Sequence, residues 1–254
     1  GRSDPTTVLP TRLPGPRSSQ VCGQCHGIWE FNDEGGERYA NHRGLPYRPG
    51  DDLSATRFVA QPTRNGGSPT MQRLLAEDVN FVRDAFWPDG MVRVTGREYN
   101  GLLESPCYAQ ARDDTRRLSC FSCHTMHKAA GDARSDAEWA DDQLGADKRD
   151  NRACTGCHPA IGGTPAALSR HTRHDAGSSG SLCYNCHMPY TTYGLLKTIR
   201  SHTVSTPSAR ESIEFGRPNA CNLCHLDRSL PWAAAALERW SERSEEHTSE
   251  LQSR

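Results

Sequence analysis

Five stretches of one form, Cys22-Gly-Gln-Cys25-His26, Cys120-Phe-Ser-Cys123-His124, Cys154-Thr-Gly-Cys157-His158, Cys183-Tyr-Asn-Cys186-His187 and Cys221-Asn-Leu-Cys224-His225, decide how this chain is read. Two thiols three positions apart can both add to the vinyl groups of one porphyrin, while the histidine that follows reaches its iron. The spacing is that of covalent haem c attachment, and it consumes ten of the eleven cysteines. Paired Cys-x-x-Cys units also build zinc ribbons, but a structural zinc takes four ligands. Five pairs leave one unmatched, and nothing in a ribbon requires His after every second Cys. A disulfide framework fails on the same point, and a thioredoxin-like pair would occur once. The expectation is five covalently bound haem c groups, with His26, His124, His158, His187 and His225 each giving one axial ligand.

Composition points the same way. Leu, Ile, Val and Phe together are 37 of 254 residues, a share at which many chains stay unfolded, yet the formal net charge is only −1. Apolar surface must then come from something other than side chains, and five porphyrins supply it. The haems are expected to form the core, and the chain without them to be largely unfolded, as small metal domains are without their metal. Only twelve residues are Ile or Val, whereas Gly and Pro reach 38. The expected fold is therefore mainly α with extensive loops and little sheet. No run has the length of a membrane span, and no basic amphipathic stretch suggests surface binding. Basic and acidic residues, 30 and 31 in number, are interspersed, which gives no electrostatic footprint for nucleic acid.

Between the first and second motifs lie 98 residues from first Cys to first Cys, whereas the later steps are 34, 29 and 38. One outlying haem site and one dense cluster result. The organisation expected is an extended Pro-, Arg- and Ser-rich lead-in over 1–20, a first haem site with a long insertion over 21–106, and a four-haem cluster over 107–242. Within the insertion, Thr70 to Phe86 carries Met71, Leu74, Leu75, Val79, Val82 and Phe86 near a helical period, with Pro88 as a stop. Met91 to Tyr99 reads as one short strand, and a helix follows through Tyr99–Leu103 up to Pro106. Ser229 reads as the cap of a last helix, with Pro231 in its first turn, through Trp232 and the alanines to Trp240. The motifs repeat without a shared flanking sequence, so the period is not that of a solenoid.

The ends carry expectations of their own. The chain opens at Gly1 without Met and without a hydrophobic leader in its first twenty residues. Covalent haem attachment in many-haem chains takes place outside the cytoplasm, so an export signal is expected upstream and an extracytoplasmic location, bacterial periplasm or cell surface, is implied. Residues 243–253, RSEEHTSELQS, resemble the one-frame translation of a widely used sequencing adapter and are set aside over 243–254 as artefactual, His247 with them.

Function turns on what faces each iron opposite its motif histidine. Five histidines remain: His42, His127, His171, His174 and His202. Five haems and five spare histidines allow six-coordinate iron throughout. His127, three residues after His124, cannot reach round its own haem and would serve a neighbour. His171 and His174 share a helical face by their spacing and precede Cys183. His202 lies between the fourth and fifth motifs, and His42 would serve a distant haem. Met71 and Met91 read as packing residues, and neither Met126 nor Met188 can turn back to the adjacent iron. Cys107, the unpaired cysteine in ESPCYAQ, is open to three readings: a small buried apolar residue, a haem ligand, or a partner of Tyr108.

His171 to Pro189 (HTRHDAGSSGSLCYNCHMP), Ser119 to His127 (SCFSCHTMH) and Arg217 to Trp240 (RPNACNLCHLDRSLPWAAAALERW) resemble multihaem cytochromes c of the superfamily that includes pentahaem nitrite reductase, octahaem hydroxylamine oxidoreductase and tetrahaem electron carriers. The resemblance covers roughly residues 99–240. It implies closely packed haem pairs, a helical shell and an extracytoplasmic redox role with an electron donor and an acceptor protein as partners, a membrane-associated one among them. The chain departs from pentahaem nitrite reductase, which resembles it in haem number but has Lys in place of one motif His. All five motifs here end in His. The expected function is electron transfer through stacked, mostly bis-His haems. The alternative is a reductase or oxidase of a small nitrogen or sulfur compound, with one open iron and Cys107, Tyr108, Arg112 or a spare His around it.

Overall fold

The computed structural model describes residues 7–194 and 196–240; residues 1–6 of the lead-in and the 243–254 tail lie outside the described residues. The first motif closes a helix, Gly15–His26, with Pro16 in its first turn and extended Gly27 after it. Trp29–Phe31 then pairs antiparallel with Arg57–Val59, in the register Trp29 to Val59 and Phe31 to Arg57. Arg57 is fully buried between the rings of Trp29 and Phe31, its guanidinium carbon 4.1 and 4.0 Å from their centres. Such a cation against two aromatic faces offsets part of the cost of burying the charge. Between the two strands runs the helix Glu34–Arg43, capped by the Asp33 carboxylate and ended by Gly44 at φ 82°.

The single helix expected over Thr70–Phe86 is two. Pro69–Glu77 starts on Ser68, whose hydroxyl accepts from the Met71 N–H, and Phe81–Ala85 follows. Asp78 leaves helical dihedrals and accepts the Asn80 N–H at 2.9 Å, a local bond that competes with the helix ladder. The break turns Val79, assigned to the apolar stripe, out to solvent at 78 % exposure. Met91–Tyr99 forms no strand either. Val92 and Val94 make single bridges, to Phe86 and Tyr193, and Gly96 at φ 79° turns the chain into the helix Glu98–Glu104. That helix matches the one expected over Tyr99–Leu103.

Two apolar clusters result. One is built on Ile28, Ala60, Met71, Phe86 and Val92, the other on Tyr47, Leu53, Tyr99, Leu102 and Leu103. Asn100 links them: its buried amide accepts the Ile28 N–H at 2.7 Å and donates to the Ala60 carbonyl at 2.7 Å. Twelve of the fifteen buried hydrophobic residues among the described residues fall between Ile28 and Leu103. From residue 104 to 240 only Leu168, Ala209 and Ala233 join them.

That second stretch is short helices and loops. Its one ladder pairs Tyr190–Gly194 with Lys197–Arg200, and a register shift falls between Tyr190 and Thr192. The helix Ala209–Phe215 leads to buried Arg217, which joins Asp89 of the insertion at 2.6 Å and also Glu211. Ser229 caps the last helix, residues 230–240, by accepting from the Trp232 N–H at 3.3 Å. Among the described residues the chain is thus mainly helical with two small sheets, as its composition implies. Among the described residues no helix is long and apolar enough to cross a membrane.

Two outcomes follow from this uneven core. Asn100→Ala strands the Ile28 N–H and the Ala60 carbonyl in an apolar setting and is expected to cost about 2–4 kcal/mol. A lower urea midpoint at unchanged slope reports it. In chain prepared without haem attachment, limited proteolysis is expected to cut first within 107–240 and to spare 28–103 longest.

Candidate haem-binding sites

Three of the five motif histidines face a second histidine. His124 and His202 have ring centres 6.2 Å apart and planes 16° from parallel; His187 and His171 are 6.1 Å and 12°; His225 and His174 are 6.0 Å and 38°. Stacked rings in contact would be closer. Two metal–nitrogen bonds of about 2.0–2.1 Å, with about 1.1 Å from each nitrogen to its ring centre, put two imidazoles across one metal about 6.2–6.4 Å apart. The observed spacings are those of rings with room for one iron between them, so the residues present fit the group that the motifs imply.

The second ring nitrogens fit as well. Nδ1 of His124 lies 3.0 Å from the Asp142 carbonyl, that of His187 2.8 Å from Ser205, that of His202 3.1 Å from Arg200 and that of His174 2.5 Å from Thr172. A carbonyl can only accept, so each Nδ1 carries the proton and each Nε2 presents its lone pair. Burial pushes His124, His171 and His202 below the ordinary imidazole value, which favours the neutral form that binds iron.

Local sequence places these rings. His202 is held from behind by Ser105, which is fully buried, donates its hydroxyl to the His202 carbonyl at 2.7 Å and accepts the Val204 N–H at 2.9 Å. Gly101 lets the two segments touch, since a Cβ there would lie 2.9 Å from the His202 backbone. His187 and Ser205 are bonded both ways, ring to carbonyl and N–H to carbonyl. The Pro165–Thr172 helix ends at Arg173, which adopts φ 55°. His171 and His174 therefore do not share a helical face: the left-handed residue between them sends His171 to His187 and His174 to His225. Trp232 of the last helix packs on His225 at 5.1 Å.

The remaining histidines differ. His26 is largely exposed, and its Nδ1 sits 2.8 Å from Oε2 of Glu98. Burial alone would raise the Glu98 carboxyl, but the bond from His26 and those from backbone N–H groups hold it at about 2. His158 is exposed at the start of the helix Pro159–Gly162. His42, on the Glu34–Arg43 helix, and His127 are exposed too. Among the described residues the structure brings none of these four against another imidazole. Glu98 is the site residue that sequence reasoning missed. In the sequence it falls at the end of the expected strand, one residue before the expected helix, with nothing to show that it reaches a motif 72 residues away.

The attachment cysteines are neighbours across motifs. Cys120 shares a hydrogen bond with Cys22 that pulls Cys22 down to about 7, and Cys154 does the same to Cys183. Cys123 lies within electrostatic reach of Cys154, and Cys221 of Cys186. Asn151 bonds both the Ser181 carbonyl and the Cys183 N–H, and the Tyr184 hydroxyl donates to the Lys148 carbonyl, joining the third motif to the fourth. Cys107 is half-buried, and burial raises its thiol. Exposed apolar side chains stand beside three motifs: Met126, Ile161, Leu223 and Leu226.

No protein-family model matches the chain, and no curated protein matches its sequence. Among solved structures it is similar to the crystal structure of the outer cell wall cytochrome OcwA, with a TM-score of 0.59 at 18 % identity. The likeness covers 92 % of this chain and 54 % of that one, so the chain spans about half the length of the cytochrome it matches. The fold of this chain is thus that of about half of a cytochrome of the outer cell wall.

Each imidazole pair can be dissected. His171→Ala and His174→Ala are expected to abolish different low-spin EPR signals, each leaving the other iron unaltered. Gly101→Ala should loosen the His124–His202 pair and convert one low-spin iron partly to high-spin, with no ligand itself changed.

Proposed function

We propose that the chain is a multihaem cytochrome c that holds five covalently attached haems and passes electrons along them between protein partners. The observation that carries this reading is the three imidazole pairs at iron-spanning distance. An iron with histidine on both faces has no position free for substrate, and that favours electron transfer over bond chemistry. The haems supply one-electron exchange between ferric and ferrous iron. The polypeptide supplies the rest: it fixes four of the six paired imidazoles by a carbonyl behind each and keeps successive attachment points close.

The neighbouring cysteines support a line of haems in the order of their motifs. Cys22 adjoins Cys120, Cys123 is near Cys154, Cys154 adjoins Cys183 and Cys186 is near Cys221. Electrons would enter or leave at the first and fifth haems, where an electron donor and an acceptor dock. The export needed for covalent attachment supports an extracytoplasmic site of action, in the periplasm or at the cell surface. The likeness to a cytochrome described as belonging to the outer cell wall agrees with it. In the rival reading, a reductase or oxidase of a small nitrogen or sulfur compound, the open iron belongs to the first or third haem. Their motif histidines, His26 and His158, stand outside the three imidazole pairs.

The test is an EPR spectrum of the haem-loaded protein, as isolated and after addition of nitrite or hydroxylamine, beside a haem assay expected to give five per chain. Low-spin signals that ligand leaves unchanged are the expected result. A high-spin ferric signal that shifts on addition would replace the carrier by the enzyme.

A further inference from the structure

The first motif differs from the second and the fourth in what stands behind its histidine. Nδ1 of His124, His187, His202 and His174 each meets a peptide carbonyl, a neutral acceptor. Nδ1 of His26 meets the Glu98 carboxylate at 2.8 Å. The contact is built rather than incidental. Glu98 opens the helix Glu98–Glu104, whose Tyr99 packs so tightly on the Gly15–His26 helix that a Cβ at Gly23 would lie 2.6 Å from its ring. The second carboxylate oxygen accepts the Gly96 N–H at 2.8 Å, which fixes the group's rotation. Arg97, within electrostatic reach of His26, donates to the Cys25 and Gly96 carbonyls, clamping the motif's backbone, and His26 makes the side-chain hydrogen bond to the carboxylate.

We propose that Glu98 is a positioning residue that acts through His26 to make the first haem the lowest-potential member of the line, and so its point of electron entry. A full negative charge that accepts from Nδ1 draws the proton toward itself and gives the imidazole more anionic character than a carbonyl can. A more electron-rich ligand stabilises ferric over ferrous iron, and the potential falls. The first haem then gives electrons readily to the second, next to which Cys22 and Cys120 place it. The inference rests on the five-haem reading above and adds a direction to it.

The experiment is a redox titration of the haem-loaded full chain, followed by optical and EPR spectra, with Glu98→Gln and Glu98→Asp beside the parent. Glu98→Gln keeps the size and an acceptor oxygen but removes the charge. It is expected to raise the lowest of the five midpoints most, with a smaller rise at the second haem, whose His124 and His202 lie within electrostatic reach of Glu98, and to leave the other three in place. A tenfold loss of ferric preference, the low end of what such outer partners contribute, reads as about 59 mV for one electron. Glu98→Asp keeps the charge but retracts it by one methylene, and is expected to move the same midpoint part of the way. Unmoved midpoints in both variants at full haem content, or movement only of a higher one, would overturn the proposal. A parent chain that binds no haem would overturn the five-haem reading itself, and the haem assay separates the two failures.

Discussion

An iron held between two imidazoles fixes both ligands along one line at a set spacing, and most of the second half of this chain answers to that constraint. His124 and His202 are 78 positions apart in sequence, His174 and His225 51, and His171 and His187 16. Each pair, once joined through a metal, closes a loop in the way a disulfide does, and the entropy removed from the unfolded chain grows slowly with loop length. Between residues 104 and 240 the described chain buries three hydrophobic residues. Such a stretch buries little side-chain surface to offset its conformational entropy, so under the proposed ligation the closed loops and the porphyrin faces between them would carry the organisation.

The first hundred residues play a different part. They own nearly all the conventional core, and they use it as a bracket for the haem sites. The helix Glu98–Glu104 belongs to both regions: Tyr99 and Leu102 bury inward, Gly101 touches the backbone of His202, and Ser105, one residue past its end, pins the same segment. One helix thus positions the ring partner of the second motif and, through Glu98, the ring of the first. Arg217 makes a further tie, reaching from the last motif's approach to Asp89. The long insertion is therefore bonded to the cluster that follows it at several points.

The helical, loop-rich class was legible in few β-branched residues and many glycines and prolines, and the proposed attachment points rest on the fixed local spacing that covalent chemistry demands. Pairing was less legible, because it depends on backbone turns. The spacing of His171 and His174 suggests one helical face, but Arg173 takes a left-handed conformation and splits them. The apolar period through Thr70–Phe86 suggests one helix, but the Asp78 side chain captures a backbone N–H and ends it early. His127 reads as the ligand of a neighbouring haem and His42 of a distant one, and position along the chain says nothing of direction; both are exposed. Glu98 was invisible because its partner is distant in sequence and a single Glu has no spacing to read.

The closeness of Cys22 and Cys120 has a consequence for how the protein is made. The bond from Cys120 lowers the Cys22 thiol and so favours its thiolate, and a second sulfur beside it is an oxidation partner. In an oxidising compartment such a pair closes into a disulfide between motifs, which would block two attachment sites at once. The same holds for Cys154 and Cys183. On the five-haem reading, attachment ahead of folding would avoid that outcome, because on an extended chain the contacts that bring the motifs together have not yet formed.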